Sequence, residues 1–214
     1  GGTSNVPLKT GVVVGRDVPV GSLITPWAYS GASVWSCAEN VNRLYASFAT
    51  PSGPRTQTGI YAYSSPGSGT SSYKVVDTNI PGVGMVIASY AYTDSNEGCY
   101  PGDYPYQDLF APNRPQGSGA GCGPGSYVWG TQSHEIAVAL VKTGAITAGS
   151  IPAQELAQAK AYVGNYPSFT SMVQQGGTAY FTIPAVSVTS AGCDVSDVDV
   201  VLGTHNPSVF TGAG

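Results

Sequence analysis

Charge is what this sequence has least of. Its 214 residues carry 8 Lys and Arg against 12 Asp and Glu, so charged side chains make up only 9% of the chain. A globular domain ordinarily has about 25%. The bases are spread from Lys9 to Lys160 without clustering. A net charge of −4 and an isoelectric point near 4.9 leave no basic surface. That argues against nucleic acid as a partner, which needs clustered Lys and Arg against its phosphates. No apolar run approaches the ~20 residues that cross a bilayer as a helix, so no membrane insertion is expected. The scarcity of Glu, Lys and Arg, which surface helices favour, argues against a helix-rich enzyme. Hydrophobic residues at 42% set the chain apart from disordered sequences. The 4 Cys form no CxxC pair and have no His close by, which disfavours zinc. No signal-peptide pattern opens the sequence as given, so the expectation, if the protein is secreted, is a mature sequence.

What is abundant is backbone punctuation, with 29 Gly and 16 Pro. Short β-rich runs lie between these turn signals at 11–14, 33–37, 44–48, 59–63, 73–76 and 85–92. In the last of these Met85, Ile87, Ser89 and Ala91 share one face, and Val86, Ala88, Tyr90 and Tyr92 the other. Strand pattern stops from 93 to 130 and resumes at 127–129, 135–142 and 145–151. The run 152–163 has helix-favouring composition with Pro152 at a plausible first turn. It also alternates, so a short helix or an edge strand is expected there. A strong strand spans 178–189, with an edge or bulge at Pro184, and 195–202 alternates again. Many short strands with frequent turns predict an all-β fold, an elongated β-sandwich or jelly roll with little helix. The length suits one domain of ~190 residues with an appendage. Such a domain buries roughly 70% of its unfolded surface and does not depend on disulfides to fold. An oxidising compartment with at least one disulfide is the preferred reading of the cysteines.

The 93–130 stretch is where the scarce charge collects. Five of the twelve acids (Asp94, Glu97, Asp103, Asp108 and Glu135) fall between 94 and 135, amid Tyr, Gly and Pro. A structureless segment this long is usually functional. A Cys99–Cys122 bond would tie it off and restrict the unfolded chain by about 3 kcal/mol in the entropy model. Cys37 bonded to either of them is the competing pairing.

Sugar recognition needs carboxylates and amides for hydroxyls and aromatic faces for the ring. Asp94, Asn96, Asp103, Asp108 and Gln132 supply the first. Tyr100, Tyr104, Tyr106 and Trp129 supply the second. The same residues on loops also suit a protein surface. The plainer alternative is that the tyrosines pack the loop and the acids cap turns. Sialylated or sulfated ligands are disfavoured, because Arg114 is the only base in the loop. His134 and Glu135 point to opposite faces of a strand and make a poor dyad. No His-Glu-x-x-His is present, since position 138 is Val, and His134 is expected at a turn or rim. No Gly-x-Ser-x-Gly elbow occurs. The loop acids could be spaced as in a glycosidase, yet acids in a binding loop look the same. No enzyme activity, metal or cofactor is expected. Trp27, Tyr29 and Trp35 are read as core or rim, and the pair Arg16 and Asp17 as surface.

Val12-Val13-Val14-Gly15-Arg16-Asp17-Val18-Pro19-Val20-Gly21-Ser22-Leu23-Ile24, followed by aromatics and Cys37, resembles the opening strands of tip adhesins of bacterial chaperone–usher fimbriae. Thr78-Asn79-Ile80-Pro81-Gly82-Val83-Gly84 resembles that group's central Pro-Gly-Ile-Gly element. The run 136–144, ending in Lys142-Thr143-Gly144, resembles its Lys-Thr-Gly strand turn. Cys193-Asp194-Val195, then 200–203 and Phe210-Thr211-Gly212, resembles the first strand of the pilin domain that follows.

The resemblance implies an immunoglobulin-like, lectin-type β-sandwich over 1–190 that binds a host glycan, glycoprotein or matrix protein. It implies a linker and truncated pilin stub over 191–214. It places the protein outside the cell at the tip of a fimbrium. Its partners would be a periplasmic chaperone and the next pilus subunit, although a stub this short cannot take a donor strand as whole pilin domains do. Mannose is not carried over, because Gly1-Gly2 does not match the N-terminal aromatic amine of that pocket. Nor is the three-His zinc site of some members, because only His134 and His205 are present. Alternatives are a structural or adaptor pilus subunit, and a carbohydrate-binding module or hydrolase of a secreted enzyme.

Overall fold

A computed structural model describes residues 1–41, 43–67, 72–93, 106–110, 128–165 and 173–192. These form thirteen strands, and there is no helix among the described residues. One layer is a six-stranded sheet. In it β3 (Ala28–Val41), β9 (Val128–Lys142), β7 (Val83–Thr93), β6 (Tyr73–Asp77) and β5 (Gln57–Ala62) follow one another, all antiparallel. β7 shares its second edge between two partners. Gly84 and Met85 face β6, while Ala88 and Ser89 face the short β8 (Gln107–Asp108).

The other strands form a four-stranded and a three-stranded sheet. The first runs β1 (Gly2–Asn5), β12 (Val173–Ile183), β11 (Gln154–Asn165), β4 (Arg43–Pro51). The second runs β10 (Gly149–Ile151), β13 (Val186–Ala191), β2 (Gly11–Gly15). The order β11-β12-β1 in the first recurs as β10-β13-β2 in the second. Three neighbouring strands therefore pass from one sheet into the other, and each does so beside a proline: Pro7, Pro152 and Pro184. Proline has no N–H to give a ladder, so the bonding breaks along one crease. On either side it resumes at once, with Val6 N donating to Thr182 O at 2.7 Å and Ser187 N to Thr10 O at 2.8 Å.

The main core lies between the six-stranded sheet and this creased surface. Val12, Val14, Leu156, Phe181, Ile183, Val186 and Val188 come from one side, and Val76, Met85, Ile87, Ile136, Val138 and Leu140 from the other. Alternation explains the faces: β2 reads exposed–buried–exposed–buried–exposed.

Three expectations change here. The run 152–163 is neither helix nor edge strand. It is β11, an interior strand bonded to β12 and β4, with Ala157, Ala159 and Ala161 fully buried. Two ladders and a buried alanine face outweigh its helical composition. The strand expected over 178–189 is two strands in different sheets, with Pro184 at the crossing. The strands expected at 127–129 and 135–142 are joined, since 128–142 is one strand, β9. Cys193 and the strand expected at 195–202 lie outside the described residues.

The turn before β7 needs glycine. Gly82 has φ +81°, and a Cβ there would lie 2.1 Å from the Ala145 carbonyl oxygen. Thr143 N donates to Gly82 O at 2.8 Å and Thr147 N to Pro81 O at 3.2 Å, so this turn is docked on the one after β9. Gly82→Ala is expected to cost about 2 kcal/mol through strain and displacement and to lower the thermal midpoint by roughly 5 °C. Circular dichroism melting checks this, and an unchanged midpoint contradicts the docking.

Candidate functional site

The six-stranded sheet is buried on its outer face as well, but only in part. Ala62, Tyr73, Val75, Val86, Ala88, Ala137, Ala139 and Val141 make a second, smaller core there, with Leu23, Trp27, Ile60 and Tyr106 packed against it. The segment 21–25 continues the edge of β9 that β3 occupies. Ile24 N donates to Leu140 O at 2.9 Å, and Leu140 N donates to Thr25 Oγ1 at 2.9 Å. This brings Trp27 over Tyr73, edge to face with ring centroids 5.6 Å apart.

Along β9 the outer residues run Val141, Ala139, Ala137 and then Glu135, so the apolar floor ends in a carboxylate. Glu135 lies opposite Tyr90 of β7 and opposite Gly31 of β3. Tyr29, one outer position back on β3, pairs with Ala137. Tyr106 stands where the chain returns to the sheet. Its ring centroid is 5.4 Å from that of Tyr90 and 6.1 Å from that of Tyr29. Its hydroxyl donates to Glu135 Oε1. The Tyr29 hydroxyl donates to Pro66 O at 2.8 Å, which brings the 63–67 loop alongside. Tyr29 is 41% exposed, while Tyr90, Tyr106 and Glu135 are partly buried.

Burial raises the Glu135 carboxyl above the usual glutamate range. Burial, and then the negative charge of Glu135, raise the Tyr29 phenol. His134 points the other way. It is buried in mid-strand rather than set at a turn or rim, and desolvation holds its pKa down to about 3.

Of the residues expected to bind ligand, Tyr106 stands in this cluster. Asp108 is close by but is 3% exposed. Its Oδ2 accepts from Lys74 N at 3.0 Å and its Oδ1 from Phe110 N at 3.0 Å, which ties β8 to β6. Trp129 and Gln132 belong to β9 by their backbone; their side chains lie outside the described residues. So do Asp94, Asn96, Tyr100, Asp103 and Tyr104, and also Cys99 and Cys122. Sequence reasoning missed Tyr90 and Glu135 as partners and left Tyr29 between core and rim. The signal available was the second face of 85–92, which carries Tyr90 opposite Met85 and Ile87. Among the described residues, no three His, Cys, Asp or Glu are grouped to hold a metal.

His134 fixes the sign of one pH response. Its folded pKa lies below its unfolded value, so the unfolded chain binds more protons between about pH 3 and 6.5, and stability falls as pH falls through that window. Glu135, with its folded pKa raised, works in the opposite sense just above the ordinary glutamate value. The thermal midpoint is expected to drop between pH 6.5 and 5, before ordinary carboxylates protonate. His134→Gln is expected to flatten that drop. A variant with the same slope as the parent contradicts the assignment.

No protein-family model and no curated protein matches the chain. Among solved structures it is similar to the adhesin AtfE of the Ambient Temperature Fimbriae of Proteus mirabilis. Identity is 17% and the TM-score 0.50, over 87% of this chain and 98% of that one. It also matches the receptor binding domain of the plasmid-born adhesin MrkD1P of Klebsiella pneumoniae, at 16% identity and TM-score 0.46, over 90% and 93% of the two chains. The CupB6 tip adhesin of Pseudomonas aeruginosa matches at 14% identity and TM-score 0.33, over 86% of this chain and 41% of that one. The likeness to AtfE shows a shared fold, an all-β sandwich found in a fimbrial adhesin.

Proposed function

We propose that this chain is the receptor-binding region of a fimbrial tip adhesin, which attaches a bacterium to host surfaces and performs no catalysis. The observation that carries the reading is the outward cluster of Tyr29, Tyr90, Tyr106 and Glu135, set on a sandwich of fimbrial-adhesin fold. Aromatic faces and a carboxylate at the end of an apolar floor suit stacking on a sugar ring or a protein side chain, with hydroxyl or amine groups bonded at the rim.

The receptor in this reading is a host glycan, or a glycoprotein or matrix protein. The pocket is completed by Asp94, Asn96, Tyr100, Asp103 and Tyr104 from the loop that leaves β7, and by Trp129 and Gln132 of β9. Asp108 serves it by anchoring β8. A Cys99–Cys122 bond would close the loop. Residues 1–190 form the binding domain and 191–214 lead into a pilin domain, through which a periplasmic chaperone and the next subunit would engage. The protein then acts outside the cell at the fimbrial tip, where many copies supply avidity to a modest single site.

A glycan array together with immobilised matrix proteins tests the reading. Saturable binding to one class is expected. Tyr29→Ala is expected to weaken it about tenfold, near 1.4 kcal/mol, with the melting midpoint within about 2 °C because the site is exposed. Binding to neither class, or measurable glycoside or ester turnover, contradicts it.

A further inference from the structure

We propose that the tyrosine-walled notch beside Glu135 binds a primary ammonium group carried on an apolar stem or ring, as in a lysine side chain or an amino sugar. This rests on the receptor-binding reading and names the chemistry the same surface selects.

A carboxylate taken partly out of water is ordinarily matched by a cation. Among the described residues Glu135 has none. The ion pair they contain is Arg16 with Asp17, both almost fully exposed. Three of the described bases are bonded elsewhere: Lys74 Nζ donates to Phe110 O at 3.2 Å, Lys142 Nζ to Arg16 O at 2.8 Å, and Arg55 Nη2 to Gln154 Oε1 at 3.1 Å. The hydrogen bond Glu135 receives comes from a neutral phenol, Tyr106, on Oε1. That bond orients the carboxylate without neutralising it.

The surroundings fit an organic cation better than a metal, since among the described residues no three His, Cys, Asp or Glu are grouped there. Three tyrosine rings, those of Tyr29, Tyr90 and Tyr106, stand around one carboxylate. Ring faces attract a cation within about 6 Å of the centroid, and more strongly where it is desolvated. Gly31 faces Glu135 across the β3 ladder and brings no side chain, so the approach from that strand is open. The Tyr29 ring, which is exposed beside the carboxylate, would take the methylenes of the stem or the face of the ring. A sialic or sulfated group would meet the negative charge that already raises the Tyr29 phenol.

The test measures binding to the whole chain of four probes: Nα-acetyl-lysine methylamide, its Nε-acetylated form, methyl glucosaminide, and its N-acetyl form. At least one free amine is expected to bind about tenfold more tightly than its acetylated counterpart. The free amine that binds tells lysine from amino sugar. Glu135→Gln, which keeps shape and acceptor, is expected to abolish the difference with its fold intact by circular dichroism. Tyr29→Leu is expected to weaken the amine selectively. Equal binding of amine and amide, binding of neither, or a preference that survives Glu135→Gln overturns the inference. If a receptor found on the array binds equally to parent and Glu135→Gln, this inference fails while the receptor-binding reading stands. If nothing binds on the array, that reading fails first.

Discussion

β9 is the strand on which both sides of this molecule depend. From Ile136 to Val141 every side chain is fully buried, because β9 has ladders on both edges and cores on both faces. Its inner residues are large (Ile136, Val138 and Leu140), and its outer ones are mostly small (Ala137 and Ala139). The inner set fills the space beneath the creased surface. The small outer set leaves room for rings to lie against the sheet, which is where Trp27, Tyr73 and Tyr106 pack. Burying a Val, Leu or Ile side chain fully is worth about 1.5–3 kcal/mol, and the four here, Ile136, Val138, Leu140 and Val141, make this strand costly to interrupt. The proposed binding surface begins where the run ends, at Glu135.

The creased surface solves a different problem. Long strands covering a twisted sheet must bend, and here they bend together. Pro7, Pro152 and Pro184 remove the donor from three neighbouring strands at one line, so no strand leaves a neighbour's carbonyl row half-paired within a sheet. The result is a sandwich whose second layer is two short sheets instead of one long one. The central pair of the six-stranded sheet, β7 and β9, keeps unbroken register from Val83 opposite Lys142 to Thr93 opposite Gln132. That register alone puts Tyr90 beside Glu135.

Much of the sandwich is legible in the sequence, because half-buried strands alternate and turns carry Gly and Pro. β2 and β5 follow that alternation closely, while in β7, buried on both faces, it shows in the core each residue joins, Met85 and Ile87 in one and Val86 and Ala88 in the other. What resists reading is whatever depends on a distant neighbour. The strand β11 is rich in Ala, Gln, Glu and Lys, a helical composition, and becomes a strand because β12 and β4 bond both its edges. Pro184 marks an interruption in either reading, but only the opposite layer reveals that the chain changes sheets there. The tyrosine-rich stretch 93–130 is read as functional from its composition alone. It does not say which acid does what. Asp108 reads like any loop acid, yet it is spent on two backbone amides, whereas Glu135, set in a strand beside a histidine, faces the surface. Strand register between β3, β7 and β9 decides this, and residues far apart in the chain encode it jointly.

The central claim is that the receptor is held at the outer face of the sheet where β9 leaves the apolar floor. Hydrogen–deuterium exchange with and without the tightest receptor from the array is the most direct measurement of it. Protection is predicted in the peptides covering 28–31, 88–93, 106–110 and 133–136, with little change across β10, β13 and β2. Protection confined to that three-stranded sheet, with the β9 peptides unaffected, would contradict it.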